Sequence, residues 1–273
     1  MANTVEAYWE VEGHNLHTWA NTIETLSGRE GLPPRRGQNE VVAYRAGEVW
    51  RPKVFGARNL TLAMWVKGSD ANGVIPAAGA RAQLRQNIEA LKAIFARTDR
   101  ELVITRRLRT LAPSLLVQTG KAELLGVLEP NFQARDLARL VVDLVMADPF
   151  WYGAQQTVNI TLADGTIVND GSYYVTKMKV RFKGPLTNPQ LVNQSMDPVV
   201  SLSYVGTIGA GNWIEFDTDA FTARDQGGLS VLGSTSHSGA REWMVLRPAA
   251  NAMVLNAEAG TGSVDVTFSP AYL

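Results

Sequence analysis

Apolar side chains fall on alternate positions along most of this chain and at helical spacing in only one stretch. That contrast restricts the fold to sheets, with a single helix laid against one of them. Leu60, Leu62 and Met64 alternate within residues 59–66, and Leu102 and Ile104 within 101–105. The longest alternation covers 137–147, with Leu140, Val142, Leu144 and Met146 on one face and Arg139, Val141, Asp143 and Val145 on the other. Strands are expected at 115–117 and 121–128, on either side of a tight turn at Thr119-Gly120. From 80 to 97, Leu84, Ile88, Leu91 and either Ile94 or Phe95 recur at steps of four and three, with Arg81, Arg85, Glu89 and Lys92 elsewhere on the wheel. This predicts one amphipathic helix, with Arg85 and Glu89 spaced to pair along its outer side.

Asp148-Pro149-Phe150-Trp151-Tyr152-Gly153 ends the long strand, because proline cannot donate to a ladder and glycine closes a turn. The expected division is a domain of residues 1–152 and a domain of residues 153–273. Beyond the junction come short alternations: Val158/Ile160/Leu162, Tyr174/Thr176/Met178/Val180/Phe182, Val200/Leu202/Tyr204, Ile214/Phe216, Trp243/Val245 and Val264/Val266/Phe268. Short strands between turns, with no helical segment, predict an antiparallel β-sandwich.

The 273 residues, 45% hydrophobic, suffice for two packed cores. Charged residues are only 19%, against the roughly 25% of ordinary globular proteins, which leaves more neutral surface for burial between subunits. Net charge is zero, with 19 Lys+Arg against 16 Asp+Glu in residues 1–152 and 7 against 10 thereafter. No field for tight nucleic-acid or anionic-membrane binding results. With no cysteine, disulfides and thiolate metal sites are excluded. Glu6, Glu10 and Glu12 interrupt the first thirty residues, so no signal peptide is expected, and no apolar run reaches membrane-span length.

Catalytic machinery is not evident. His14, His17 and His237 lack the third and fourth ligands of a zinc site and read as surface or loop residues. The chain has no nucleophile elbow, phosphate-cradling loop or dinucleotide fingerprint. Glu215, Asp217 and Asp219 would share one solvent-facing side of a strand, which suits neither a glycosidase pair across a cleft nor a calcium cage. Lys177, Lys179, Arg181 and Lys183 read as a solvated face protecting an edge strand rather than an anion site. Trp213 and Trp243 have apolar sequence neighbours and read as core residues. The expectation is a non-enzyme without metal or cofactor.

Several segments carry a family resemblance: Pro33-Pro34-Arg35-Arg36-Gly37-Gln38-Asn39, Val41-Val42-Ala43-Tyr44-Arg45-Ala46-Gly47, Trp50-Arg51-Pro52-Lys53 and Arg58-Asn59-Leu60-Thr61-Leu62-Ala63-Met64-Trp65-Val66. The 148–153 junction, Gly184-Pro185-Leu186-Thr187-Asn188-Pro189 and the terminal Phe268-Ser269-Pro270-Ala271-Tyr272-Leu273 add to them. In order and spacing they resemble distal tail proteins of siphophages that infect actinobacteria. The resemblance implies a mainly β fold: an N-terminal tail-tube-like β-sandwich or split barrel with one flanking helix, then a C-terminal galectin-like β-sandwich. It implies a homohexameric ring joining the tail tube protein to the tail tip or baseplate hub and other minor tail proteins. DNA would pass through the channel without specific binding, and the protein would be made in the host cytoplasm and reside in the virion. Because galectin-like folds suggest host-surface glycan, a carbohydrate-binding adhesion module is the alternative.

The proline- and arginine-rich stretch 28–53 has few alternating apolar positions to bury within its own domain. As a loop it would be unusually long, and such loops tend to be functional. It is expected to reach over a neighbouring subunit, with Trp50 as apolar anchor and Arg35, Arg36 and Arg51 as polar contacts, residue types enriched at interfaces.

Overall fold

The computed structural model describes residues 7–28, 31–41, 48–49, 51, 53–109, 115–238 and 243–273. The fold is mainly β, with one α-helix among the described residues. By contact the chain separates into two compact units, Met1–Trp151 and Tyr152–Tyr272.

The strands of the first unit are β1 (Ala7–Val11), β2 (His14–Asn15), β3 (Asn21–Ser27), β4 (Arg35–Arg36), β5 (Glu40–Val41), β6 (Glu48–Val49), β7 (Val54–Phe55) and β8 (Arg58–Lys67). Helix α1 (Ala80–Phe95) follows, then β9 (Leu102–Arg109), β10 (Leu115–Leu125), β11 (Pro130–Ala134) and β12 (Leu137–Met146). An open antiparallel sheet runs in the order β2-β1-β9-β10-β12-β8-β3. Period-two alternation decides which face is buried. Leu60, Leu62, Met64 and Val66 of β8 and Leu140, Val142, Leu144 and Met146 of β12 all point inward, and α1 packs against β8. The helix buries Leu84, Ile88, Leu91 and Phe95, so Phe95 is the fourth inward position, at roughly 1.5–3 kcal/mol per buried side chain.

Two sequence expectations fail in this unit. Residues 119–120 form no turn, because β10 runs unbroken through them. Gly120 is there for a close approach: a Cβ would lie 2.5 Å from Met146 Cε and 3.1 Å from the Trp151 ring. The chain turns instead at Gly126, whose φ of 89° suits glycine. On α1, Glu89 pairs with Lys92 at 2.9 Å rather than with Arg85.

The junction holds the two-residue strand β13 (Trp151–Tyr152). The second unit continues with β14 (Gln156–Thr161), β15 (Gly165–Asn169), β16 (Met178–Lys183), β17 (Leu186–Thr187), β18 (Gln190–Asn193), β19 (Val200–Tyr204), β20 (Thr207–Ile208) and β21 (Trp213–Asp217). It ends with β22 (Thr222–Asp225), β23 (Thr235–His237), β24 (Ala249–Asn256), β25 (Ala259–Gly260), β26 (Ser263–Phe268) and β27 (Ala271–Tyr272). Two five-stranded antiparallel sheets, ordered β14-β26-β16-β21-β22 and β15-β24-β18-β19-β23, send their inner faces into one core. Val180, Phe182, Phe216, Val264 and Val266 from the first meet Ile167, Leu191, Leu202, Met253 and Leu255 from the second. This is a β-sandwich.

No strand forms at Trp243/Val245. Trp243, Met244 and Leu246 are buried from an irregular segment. Buried Asn251 holds that segment: its Nδ2 donates to the Arg247 and Ala249 carbonyls at 2.9 and 3.0 Å, and its Oδ1 accepts from Arg247 N at 2.9 Å. This amide adds to the single Val175–Leu246 bridge, through which Val175 and Leu246 exchange both backbone bonds at 2.9 Å.

Candidate assembly surfaces

The arginine-rich stretch is a two-stranded arm rather than a free loop. Strand β4 pairs antiparallel with β7 (Arg35↔Phe55, Arg36↔Val54), and β5 with β6 (Glu40↔Val49, Val41↔Glu48). Its root is fixed to the first unit. Gly56 N donates to Pro34 O at 2.6 Å, and Phe55 stands edge-on to Phe150 at 6.0 Å. Buried Arg58, at the start of β8, donates through Nε to Pro149 O at 2.9 Å and through Nη1 to the Gly28 and Gly31 carbonyls at 3.0 Å. A rigid fork with five donors suits several carbonyls at once. Burial pulls this guanidinium below the ordinary arginine range.

Arg35, Arg36 and Arg51 are exposed. The Arg36 stem runs over Gly56, where a Cβ would come within 3.0 Å of Arg36 Cγ. Trp50 lies outside the described residues. Three of the four expected contact residues therefore sit on the arm in reach of solvent or a partner.

The outer face of β14-β26-β16-β21-β22 corrects the reading of the basic stripe. Strand β16 is the central strand of its sheet, and its cations are matched by carboxylates. Lys177 faces Asp219 and Lys179 faces Glu215, each at 3.5 Å. Arg181 meets Glu215 at 2.5 Å, and Lys183 bonds Asp265. Further along the face, Asn159 donates to Asp265 at 2.7 Å and the Thr157 and Thr267 hydroxyls bond at 2.9 Å. Each cation of the stripe already contacts a carboxylate, Glu215 being shared by Lys179 and Arg181, and a central strand needs no edge protection.

The acidic trio is consumed in the same way, since Asp217 Oδ1 accepts the Asp219 and Ala220 amides at 3.1 and 3.0 Å. Trp213 lies on this outer face, half-buried under the Arg181 guanidinium at 4.4 Å, so it is not a core residue. Trp243 is buried, and exposed His237 leans against it at 6.0 Å. His14 lies on β2 and His17 bridges to Thr22 in the first unit. Among the described residues, no group of three His, Asp or Glu side chains gathers where a metal ion could sit, and no helix is long and apolar enough to cross a membrane.

Among solved structures, the Dit protein (gp 19.1) of SPP1 superposes on the chain with a TM-score of 0.70, covering 98% of this chain and 99% of that one at 16% identity. The chain shares the fold of SPP1 Dit. That protein is described as a paradigm of hub adsorption apparatus in Gram-positive infecting phages. A chain of the phage p2 baseplate in its activated conformation matches over 96% of this chain and 97% of its own, with 8% identity and a TM-score of 0.46, too low to argue from. No family model and no curated protein matches the sequence. The Dit-like fold therefore rests on backbone geometry, at 16% identity.

Proposed function

We propose that this chain is a structural protein of a phage tail: a distal tail protein that forms a homohexameric ring around the DNA channel and joins the tail tube to the tail tip or baseplate. The observation that carries this reading is the extent of the Dit likeness, 98% of one chain against 99% of the other. A single sandwich is a common fold, whereas the same two units in succession over the full length is a far narrower match. In this reading residues 1–152 are the tail-tube-like, ring-forming domain and residues 153–273 a galectin-like sandwich. The protein resides in the virion and meets the tail tube protein, the hub and other minor tail proteins, and DNA passes without specific binding.

The arm supports the assembly role. It projects an antiparallel ribbon whose described residues are largely exposed, on a root held by a buried arginine. Isolated two-stranded ribbons are marginal in water, and covering by a neighbouring copy stabilises them. Trp50 is the apolar anchor of that contact, and Arg35, Arg36 and Arg51 are its polar contacts. A repeated contact between unlike patches closes a ring.

The test is the mass of the purified full chain, followed by electron microscopy of tails carrying a tagged copy. A closed oligomer at the junction of tube and tip is expected, weakened at least tenfold by Trp50→Ala. Substrate turnover by the lone subunit, or absence from the particle, overturns the reading. Ring formation unaffected by Trp50→Ala removes the anchor role alone.

A carbohydrate-binding module draws support from the polar outer face of the second unit with Trp213 on it, but Arg181 occupies the indole face a sugar would stack on. A glycan array with the full chain discriminates the two readings.

A further inference from the structure

Two apolar surfaces lie at opposite ends of α1 in the first unit. At its N-terminal end Trp19 is 65% exposed, and Val74 and Ile75 are 59% and 60% exposed. Gly73, next in the chain to Val74, brings its backbone so near the indole that a Cβ would approach Trp19 Cγ to 3.3 Å, which sets Trp19 beside the loop that carries Val74 and Ile75. The loop that presents them is tied down. Asp70 Oδ1 accepts the Asn72 and Val74 amides at 2.9 and 2.8 Å, and Asn87 on α1 donates to the Lys67 and Ser69 carbonyls at 2.8 Å each. At the C-terminal end a cavity of about 300 Å³ opens between the helix and the turn after β10, lined by Phe95, Ala96, Leu124, Gly126, Val127 and Leu128, with Lys92 as its one charged residue. Val127 is 79% exposed at its mouth. Sixteen helical residues separate the two ends by about 24 Å.

The charges run the same way. The first turn of α1 carries no acid, and Arg81 and Arg85 stand exposed there without an ion pair among the described residues. The positive end of the helix dipole adds to them. At the other end Lys92 is taken by Glu89, and Arg97 and Arg100 by Glu12. Asp99, Glu101 and Glu123, which have no ion pair among the described residues, line a cleft of about 810 Å³ beside the apolar cavity. One end is therefore an apolar knob with a positive flank, and the other an apolar groove with a negative rim. Asp70 is the knob's own carboxylate, and one of its oxygens already holds two amides.

We infer that Trp19, Val74 and Ile75 of one copy dock into the Phe95–Leu124–Val127 groove of a second copy of this chain, with Arg81 and Arg85 facing Asp99, Glu101 and Glu123. This rests on the self-assembly proposed above and assigns it a contact. Knob and groove are unlike and lie at opposite ends, so each copy offers both and the contact propagates head to tail instead of stopping at a dimer. Exposed large apolar side chains on a hydrogen-bonded loop, and an apolar groove of opposite flanking charge, are the elements of an interface hot spot.

The chain has no cysteine, so an engineered pair reports the contact cleanly. Ile75→Cys with Val127→Cys in one full-length chain is not expected to close internally, since the two positions flank opposite ends of a helix about 24 Å long and a disulfide needs Cα atoms within about 7 Å. On oxidation the double variant is expected to give a ladder beyond the dimer on a non-reducing gel, which collapses to the monomer on reduction, and each single variant dimers at most. Adding Trp19→Glu is expected to reduce the ladder at least tenfold with the melting transition unchanged, because Trp19 is a surface residue. Arg81→Glu with Arg85→Glu is expected to weaken the ladder, and Asp99→Lys with Glu123→Lys to restore it. A wild-type oligomer without a ladder, or a ladder indifferent to Trp19→Glu, overturns this contact and leaves the ring standing. Neither oligomer nor ladder overturns both.

Discussion

Trp151 shows how one residue can be both a core anchor and a local cost. Its ring meets Trp9 edge-on at 5.4 Å and lies under the Arg106 guanidinium at 4.3 Å, while its buried Nε1 finds no hydrogen-bond partner among the described residues. An unsatisfied buried N–H costs about 1–3 kcal/mol, which Phe would relieve. Trp151→Phe is therefore expected to change stability by less than about 1.5 kcal/mol, and Trp151→Ala to cost about 3–5 kcal/mol, as read from denaturant midpoints. Two tyrosines of the second unit predict a response to alkali. Burial raises the Tyr173 phenol above its ordinary range, with a smaller push from Tyr174, and burial then Asp170 raise that of Tyr272. In each the folded-state pKa is above the unfolded one, so the unfolded chain loses the proton first. The stabilisation is complete below about pH 10 and fades as pH rises through the folded values. Tyrosinate absorbance tracking the loss of fold above that pH is expected; titration of both phenols at the ordinary pH would contradict it.

At the scale of elements, strand assignment followed alternation wherever one face was apolar, as in β8, β12 and β26. It failed where a neighbour distant in sequence decided the matter. Gly120 resembles a turn residue until Met146 and Trp151 are placed against it, and the cations of β16 look unpaired until β21 and β26 flank them. Gly120→Ala is expected to destabilise by about 1–3 kcal/mol, because Trp151 is held on both faces and cannot yield easily. An unchanged melting temperature would count against the close-packing account.

For the whole molecule, the arm depends on its root. Arg58→Met would leave the Pro149, Gly28 and Gly31 carbonyls without their donor, at about 3 kcal/mol or more, and loosen residues 28–56. Faster proteolysis within the arm and weaker self-association are expected together; intact association with a cleavable arm would separate the arm from assembly. By itself the sequence determined the mainly β class, the amphipathic helix at 80–95 and the inward residues of the long strands, because periodicity acts locally. Only the tertiary structure decided that the basic stripe is neutralised, that Trp213 faces outward, that Asn251 pins an irregular segment, and that Trp19 and Val127 remain uncovered at the two ends of α1. Each of those depends on which strands and loops become neighbours in space, and pairings across tens of residues leave no period for a linear reading to find.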